Sequence, residues 1–292
     1  MSASAFAPAK VNLFLHVGRP GADGMHPLCS LMVFADVGDT VRLDPAPELS
    51  FAVTGPFAGP AGAGDDNLVL RAARALAEAT GRLAAGRLTL DKQLPVAAGL
   101  GGGSSDAGAA LRLIAPTLGL ADDDALLTEV ATRMGADGAA CLHGRPVLAE
   151  GRGEVLSPAP GLPDLHAVLV NPGVPSSTPA VYRAYDAHGP TGDCARPDLP
   201  ASFASARDVA QAMSLLRNDL ETPAIALAPA IGEALQLLKH QPETLLARVS
   251  GSGATCFGLC DDAAEAERLA SRLTDQRPGW WVRACKLGGP WG

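Results

Sequence analysis

Residues 94–110 read LPVAAGLGGGSSDAGAA, and the rest of the chain is best read outward from them. Four glycines, Gly99, Gly101, Gly102 and Gly103, fall within five positions, then come Ser104, Ser105 and Asp106, then alanines and leucines. Glycine lets the backbone take positive φ and lets a ligand approach the main chain with no Cβ in the way. Serine and aspartate are helix N-cap residues, so the pattern predicts a helix over 107–114. A glycine loop feeding a helix start offers unpaired N–H groups and the positive end of a dipole, which suits a phosphate. The bland alternative is a flexible turn before an ordinary helix; loop and cap occurring together favour the phosphate.

Two familiar phosphate loops do not fit. None of the four lysines (Lys10, Lys92, Lys239, Lys286) follows a glycine, so there is no GxxxxGK[ST] loop. The dinucleotide fingerprint fails because Ser104 stands where a third glycine or alanine is wanted. What remains, Pro95 to Ser105, resembles the P-x-x-x-G-L-G-S-S-A type motif of the GHMP kinases, in a longer GLGGGSS form. That resemblance implies ATP as phosphoryl donor with an accompanying Mg²⁺. It implies an ATP cradle of Pro95, Val96, Ala97, Ala98, Gly99, Leu100, Gly101, Gly102, Gly103, Ser104 and Ser105. The fold it implies is α+β in two lobes. Residues 1–155 would form an ATP-binding domain like ribosomal S5 domain 2, and 156–292 a ferredoxin-like domain, with the active cleft between them.

Upstream of the loop, Val11, Leu13, Leu15 and Val17 alternate with Lys10, Asn12, Phe14 and His16. Period two predicts a strand with one face in a core. Lys10 and Asn12 then share a face, about 7 Å apart along the strand. On these residues alone Lys10 is a solvent-facing lysine or a functional one. The segment PAKVNL (8–13) resembles the opening motif of the same family, which implies a catalytic role for Lys10 and a substrate contact for Asn12. The turn-rich loop 18–27, GRPGADGMHP, resembles the family element R-x-DG-[YF]-H at Asp23, Gly24 and His26. Position 25 departs, with Met25 where an aromatic is usual. The resemblance implies a small-molecule substrate carrying cytidine diphosphate. Its base would hydrogen-bond His26 and lie between Met25 and Tyr182.

Downstream, Asp66 or Asn67 caps a predicted helix over 68–80, closed by Gly81. Lys92 follows a short strand; it is either simply exposed or equivalent to a lysine of the family. Asp122, Asp123 and Asp124 precede a predicted helix over 125–134 and read as a structural, dipole-favoured cap. Asp137 stands apart, just beyond a helix end and flanked by small residues. Gly135-Ala136-Asp137 resembles the family's GAD, which implies that Asp137 accepts the proton of the attacking hydroxyl; the match fails from Gly138 to Cys141. Prolines 158, 160 and 163 mark a crossing between domains. A strand is expected over 165–170, a helix from Thr178 carrying Tyr182 and Tyr185, a polar loop over 189–200, and a helix over 224–239. Ser250-Gly251-Ser252-Gly253 joins two strands; it is either a plain hairpin or, as its resemblance to the family's SG-[ST]-GA implies, a turn closing on the ligand.

Composition bounds the possibilities. The net charge is −8 with no Lys/Arg cluster, which argues against nucleic acid. An acidic protein that binds a polyanion must concentrate positive potential locally. No signal peptide or membrane-length apolar run is evident, and the six cysteines form no CxxC pair, which together point to a cytoplasmic protein. Two rival readings remain. A homoserine- or mevalonate-type kinase would share the glycine loops but not Asp23, Gly24 and His26. A non-catalytic nucleotide sensor would need the loops without both Lys10 and Asp137.

Overall fold

The computed structural model describes residues 2–187, 189 and 192–291. Pro190 and Thr191, part of the loop expected over 189–200, lie outside the described residues. The chain opens on a long antiparallel pair, β1 (Ala3–Val17) and β2 (Leu28–Asp44), followed by β3 (Leu49–Thr54). Two helices, α1 (Ala58–Ala61) and α2 (Leu68–Thr80), lead to β4 (Gly86–Asp91). Then come α3 (Gly102–Ile114), α4 (Ala125–Arg133), α5 (Gly138–His143), β5 (Val147–Glu150), β6 (Val155–Pro158) and β7 (Leu165–Asn171). Next are α6 (Thr178–Ala187), α7 (Ala206–Ser214), α8 (Glu221–Leu227) and α9 (Pro229–Lys239). The chain ends with β8 (Leu246–Val249), β9 (Cys256–Cys260), α10 (Ala263–Gln276) and β10 (Trp281–Gly288).

The α+β class is as expected, and the two halves of the chain share one sheet. Its order is β3-β4-β2-β10-β7-β9-β8, and β1 and β5 both pair with β2. The last strand makes the join: β10 pairs with β7 along its length and with β2 at Leu287↔Ala35 and Gly288↔Phe34.

Strand β1 departs from simple alternation at two register shifts, between Pro8 and Lys10 and between Asn12 and Phe14. A bulge inserts a residue and turns the following side chains to the other face. Val11, Leu13 and Phe14 therefore pack in one core cluster, while Leu15 and Val17 pack in another. The expectation that Phe14 would face away from Leu13 is corrected by that second shift. The helix ends follow local chemistry more closely. Asn67 Oδ1 accepts from Val69 N–H, and Gly81 closes α2 in the left-handed region. Asp124 caps α4 in the same way, and α2 buries Val69, Leu70, Ala72, Ala73 and Leu76 on one stripe. The helix expected over 224–239 is two, broken at Ala228 because Pro229 has no N–H to continue the ladder.

Candidate active site

The glycine stretch folds as a tight loop that becomes the first turn of α3. The helix starts at Gly102 with Gly101 as its cap residue, five positions earlier than the serine-capped start expected at 107. Ser104 and Ser105 thus lie inside the first turn. No side chain caps the end, so early N–H groups stay available to an anion. Gly99 and Gly101 have φ of 73° and 62°, and Ala97 alone among the described non-glycine residues has positive φ, 52°. A Cβ on Gly99 would collide with the carbonyls of Ser250 and Gly253.

Those carbonyls belong to the second glycine turn, which is a buttress for the first. Ser250 Oγ donates to Gly99 O (2.9 Å), and Thr255 N–H donates to Ala98 O (3.0 Å). Asn218 Nδ2 in turn donates to Val249 O and Gly251 O, so the segment Asn218-Asp219-Leu220-Glu221 holds the buttress. From the other side Lys10 N–H donates to Leu100 O at 2.7 Å. The loop is pinned by segments far apart in sequence. A cleft of about 460 Å³ opens above it, lined among others by Lys10, Asn12, Gly101, Asp137, Tyr182 and Ser252.

Lys10 and Asp137 meet in this cleft, with Lys10 Nζ 3.1 Å from Asp137 Oδ2. Strand β1 brings the lysine and the start of α5 brings the acid. Asp137 occupies the cap position of α5 but makes no cap hydrogen bond, so its carboxylate is free to face Lys10. The small residues after it have a packing reason. A Cβ on Gly138 would run into Ala131 O, and one on Gly108 of α3 would lie 2.9 Å from Leu142 Cα. The departure from the family pattern over 138–141 lets α5 sit close against α3 and α4. Lys10 Nζ also donates to Asn12 Oδ1 (2.6 Å). Asn12 Nδ2 donates to Ser30 Oγ (2.8 Å), and Ser30 Oγ to Phe14 O (2.6 Å). The lysine is therefore aimed by a chain of bonds running back into the β1–β2 pair.

Lys92 is buried, which rules out the simple exposed lysine. Its ammonium lies beneath the loop between Asp39 and Asp106, with Asp106 Oδ2 at 2.6 Å. Asp39 Oδ1 also accepts from the N–H groups of Gln93 and Leu94, whereas Asp106 Oδ1 is buried without a hydrogen-bond partner among the described residues. Asp106 is therefore the less well solvated of the two acids. Burial pushes its carboxyl up to about 8 against the opposing pull of Lys92. The sign of the consequence follows from linkage. From about pH 4 to about 8 the folded chain holds a proton on Asp106 that the unfolded chain has lost, so this group subtracts stability as pH rises through that window. Asp106→Asn should remove the effect. Urea midpoints measured at pH 5 and pH 8 should show the variant gaining on the wild type at the higher pH; a constant difference would contradict this.

The base-side residues are gathered less tightly. Tyr182 lines the cleft, and burial raises its phenol well above the usual tyrosine range. His26 packs on Tyr182, ring centroids 5.0 Å apart, and its Nδ1 donates to Gly18 O at 2.9 Å. Met25 and His26 are not among the residues lining the cleft, and Met25 is 50% exposed. The loop carrying them is tied down by the Asp23–Arg152 ion pair. The residues not singled out from sequence are Asp39 and Ser30. Each is a common polar residue whose partner is distant in the chain, so no local signal marks it.

Models of two families match the chain: GHMP kinases N terminal domain over residues 67–145 and GHMP kinases C terminal over 199–278. The chain is 58% identical over 291 residues to a 4-diphosphocytidyl-2-C-methyl-D-erythritol kinase of Caulobacter vibrioides strain NA1000 / CB15N, covering 98% of this chain and 100% of that one. Its fold is similar to the crystal structure of 4-(cytidine 5'-diphospho)-2C-methyl-D-erythritol kinase, with a TM-score of 0.79, 34% identity and coverage of 99% of this chain and 100% of that one. It also resembles homoserine kinase from Cytophaga hutchinsonii, TM-score 0.69, covering 98% and 95% of the two chains; at 19% identity that likeness concerns the fold alone.

Proposed function

Because the chain belongs to the GHMP kinases, we infer that it transfers the γ-phosphoryl group of ATP to the 2-hydroxyl of 4-diphosphocytidyl-2-C-methyl-D-erythritol, a step in making isoprenoid precursors by the non-mevalonate route. The observation that carries the reading is the 3.1 Å Lys10–Asp137 pair facing a glycine loop built for phosphate. Phosphoryl transfer asks little covalent chemistry of a protein; positioning and charge stabilisation supply most of the acceleration. Backbone N–H groups at the start of α3, with the Ser104 hydroxyl, hold the phosphates of ATP, while the Ser105 hydroxyl is buried and off the cleft lining. Asp137 orients the acceptor hydroxyl and takes its proton. Lys10, held by Asn12, offsets charge developing on the transferred group. Mg²⁺, when bound with ATP, neutralises phosphate charge. The oxygen donors it prefers are present on the cleft lining in Ser104 and Asp106, the second of which would have to give up its proton to bind the ion. A reducing cytoplasm fits the six free thiols, five of them buried.

A nucleotide sensor would have no use for a lysine and an acid brought together over the acceptor side of the cleft. The direct test is ADP release with 4-diphosphocytidyl-2-C-methyl-D-erythritol, homoserine and mevalonate as separate acceptors. Turnover of the cytidine compound alone is expected; turnover of either other acceptor at a comparable rate, or of none, would overturn the reading.

Tyr182 supplies the stacking face for the base, a role that Met25 cannot share because a thioether is flexible and has no face. Stacking of a base on an aromatic is worth about 1–3 kcal/mol, so Tyr182→Ala should raise KM for the cytidine substrate about 5–150-fold. KM for ATP should hold within a factor of about two. An unchanged KM for the substrate would place the base elsewhere.

A further inference from the structure

Helix α6 carries a second residue toward the base-side loop, one turn beyond Tyr182 and with no equivalent in the motifs discussed above. Asp186 Oδ1 lies 3.4 Å from His26 Nε2. The two rings beside this contact fix its surroundings. His26 packs on Tyr182 at 5.0 Å and meets Tyr185 edge-on at 5.9 Å, and Tyr185 donates its hydroxyl to Val17 O at 2.5 Å. Tyr185 is thereby locked to β1, and it holds the last turns of α6 in place. His26 is locked as well. The Gly18 carbonyl can only accept, so Nδ1 carries the hydrogen of that bond and Nε2 is turned toward Asp186.

Asp186 is left with spare capacity. Its side chain is 42% exposed, and its second carboxylate oxygen accepts from no donor among the described residues. It also stands four residues after Tyr182, which on a helix puts the two on the same face. Because His26 and Tyr182 touch, a base does not slip between them. The face of Tyr182 away from His26 is the one left for stacking, and Asp186 stands one turn along the same side of the helix, outside the lining of the cleft.

We propose that Asp186 is a specificity-determining residue that accepts a hydrogen bond from the exocyclic amino group of the cytosine and so selects cytidine over uridine in the substrate. The proposal deepens the function inferred above and rests on it. Its chemistry is that of base-edge reading, in which a carboxylate suits the amino group of cytosine. Uracil presents a carbonyl oxygen at the same position, so two acceptors would face each other across a partly desolvated contact. A site built to meet a polar group rejects the analogue that lacks it more sharply than an apolar wall can. This supplies discrimination at a pocket where the usual second aromatic is replaced by Met25.

The test compares the cytidine substrate with its uridine analogue in ADP-release kinetics, using wild type, Asp186→Ala and Asp186→Asn. Wild type should prefer cytidine. Asp186→Ala should lower kcat/KM for the cytidine substrate on the order of 10–100-fold, through KM with kcat held, and leave the uridine analogue unchanged. Asp186→Asn, whose amide can turn its NH₂ toward a carbonyl, should raise kcat/KM for the uridine analogue. Titration of CDP and UDP against the same three proteins reads the contact without turnover and should show the same ordering. If both variants keep the wild-type cytidine-to-uridine ratio within about twofold in kinetics and in titration, Asp186 does not read the base. If wild type fails to turn over the cytidine compound, it is the inferred function that fails; loss of both substrates equally in the variants would make Asp186 merely structural.

Discussion

Asp137→Asn is expected to keep ATP affinity near that of the wild type and to lower kcat by about 10²–10⁴-fold, the span for losing a general base. The geometry isolates the effect. Asp137 makes no cap bond to α5, so the amide disturbs no helix end. The acid lines the cleft, and its one ion pair among the described residues is with Lys10. Lys10→Ala should depress kcat as well. The double variant should lose little more than the worse single one, because groups acting as a unit are not additive. Single-turnover rates with ATP affinities from titration would check both points. A near wild-type rate for Asp137→Asn, or additive losses in the cycle, would show that the pair does not do the chemistry.

Gly101→Val is expected to abolish measurable ATP binding in a chain that still folds. Gly101 sits at a φ of 62°, where a β-branched residue is strained. Its new Cβ would stand 3.1 Å from Lys10 Cβ and 3.2 Å from Lys10 Cε, so the substitution presses on Lys10 as well as on the space proposed for the phosphates. Circular dichroism establishes the fold and nucleotide titration gives the dissociation constant. A folded Gly101→Val protein with unchanged ATP affinity would make the loop purely structural.

What could be read from the sequence was what local chemistry decides. Asn67, Gly81 and Asp124 mark helix ends because a cap is satisfied within a few residues of itself. The glycine loop was marked by its residue types, and Lys10 and Asp137 by their resemblance to the family's motifs; the structure brings all three to one cleft. What tertiary partners decide was not legible. Lys92 is buried because Asp39, 53 positions earlier, and Asp106 enclose it. The start of α3 at Gly102 depends on the loop being held by Ser250 and Lys10. The register shift after Asn12 is set by pairing with β2 and leaves no trace in the alternation of β1. The sharing of one sheet between the two halves is likewise a matter of β10 finding β2.

Phosphorus NMR of the reaction product tests the central claim most directly. Carbon 2 of the methylerythritol carries a methyl group and no hydrogen, so a phosphate placed on its hydroxyl has no proton three bonds away. With ATP and 4-diphosphocytidyl-2-C-methyl-D-erythritol, the account predicts one new phosphomonoester resonance that stays a singlet without proton decoupling, appearing in step with ADP. A proton-split phosphomonoester would put the phosphate on another hydroxyl, and ADP formed with inorganic phosphate alone would mean that no transfer to the substrate occurs.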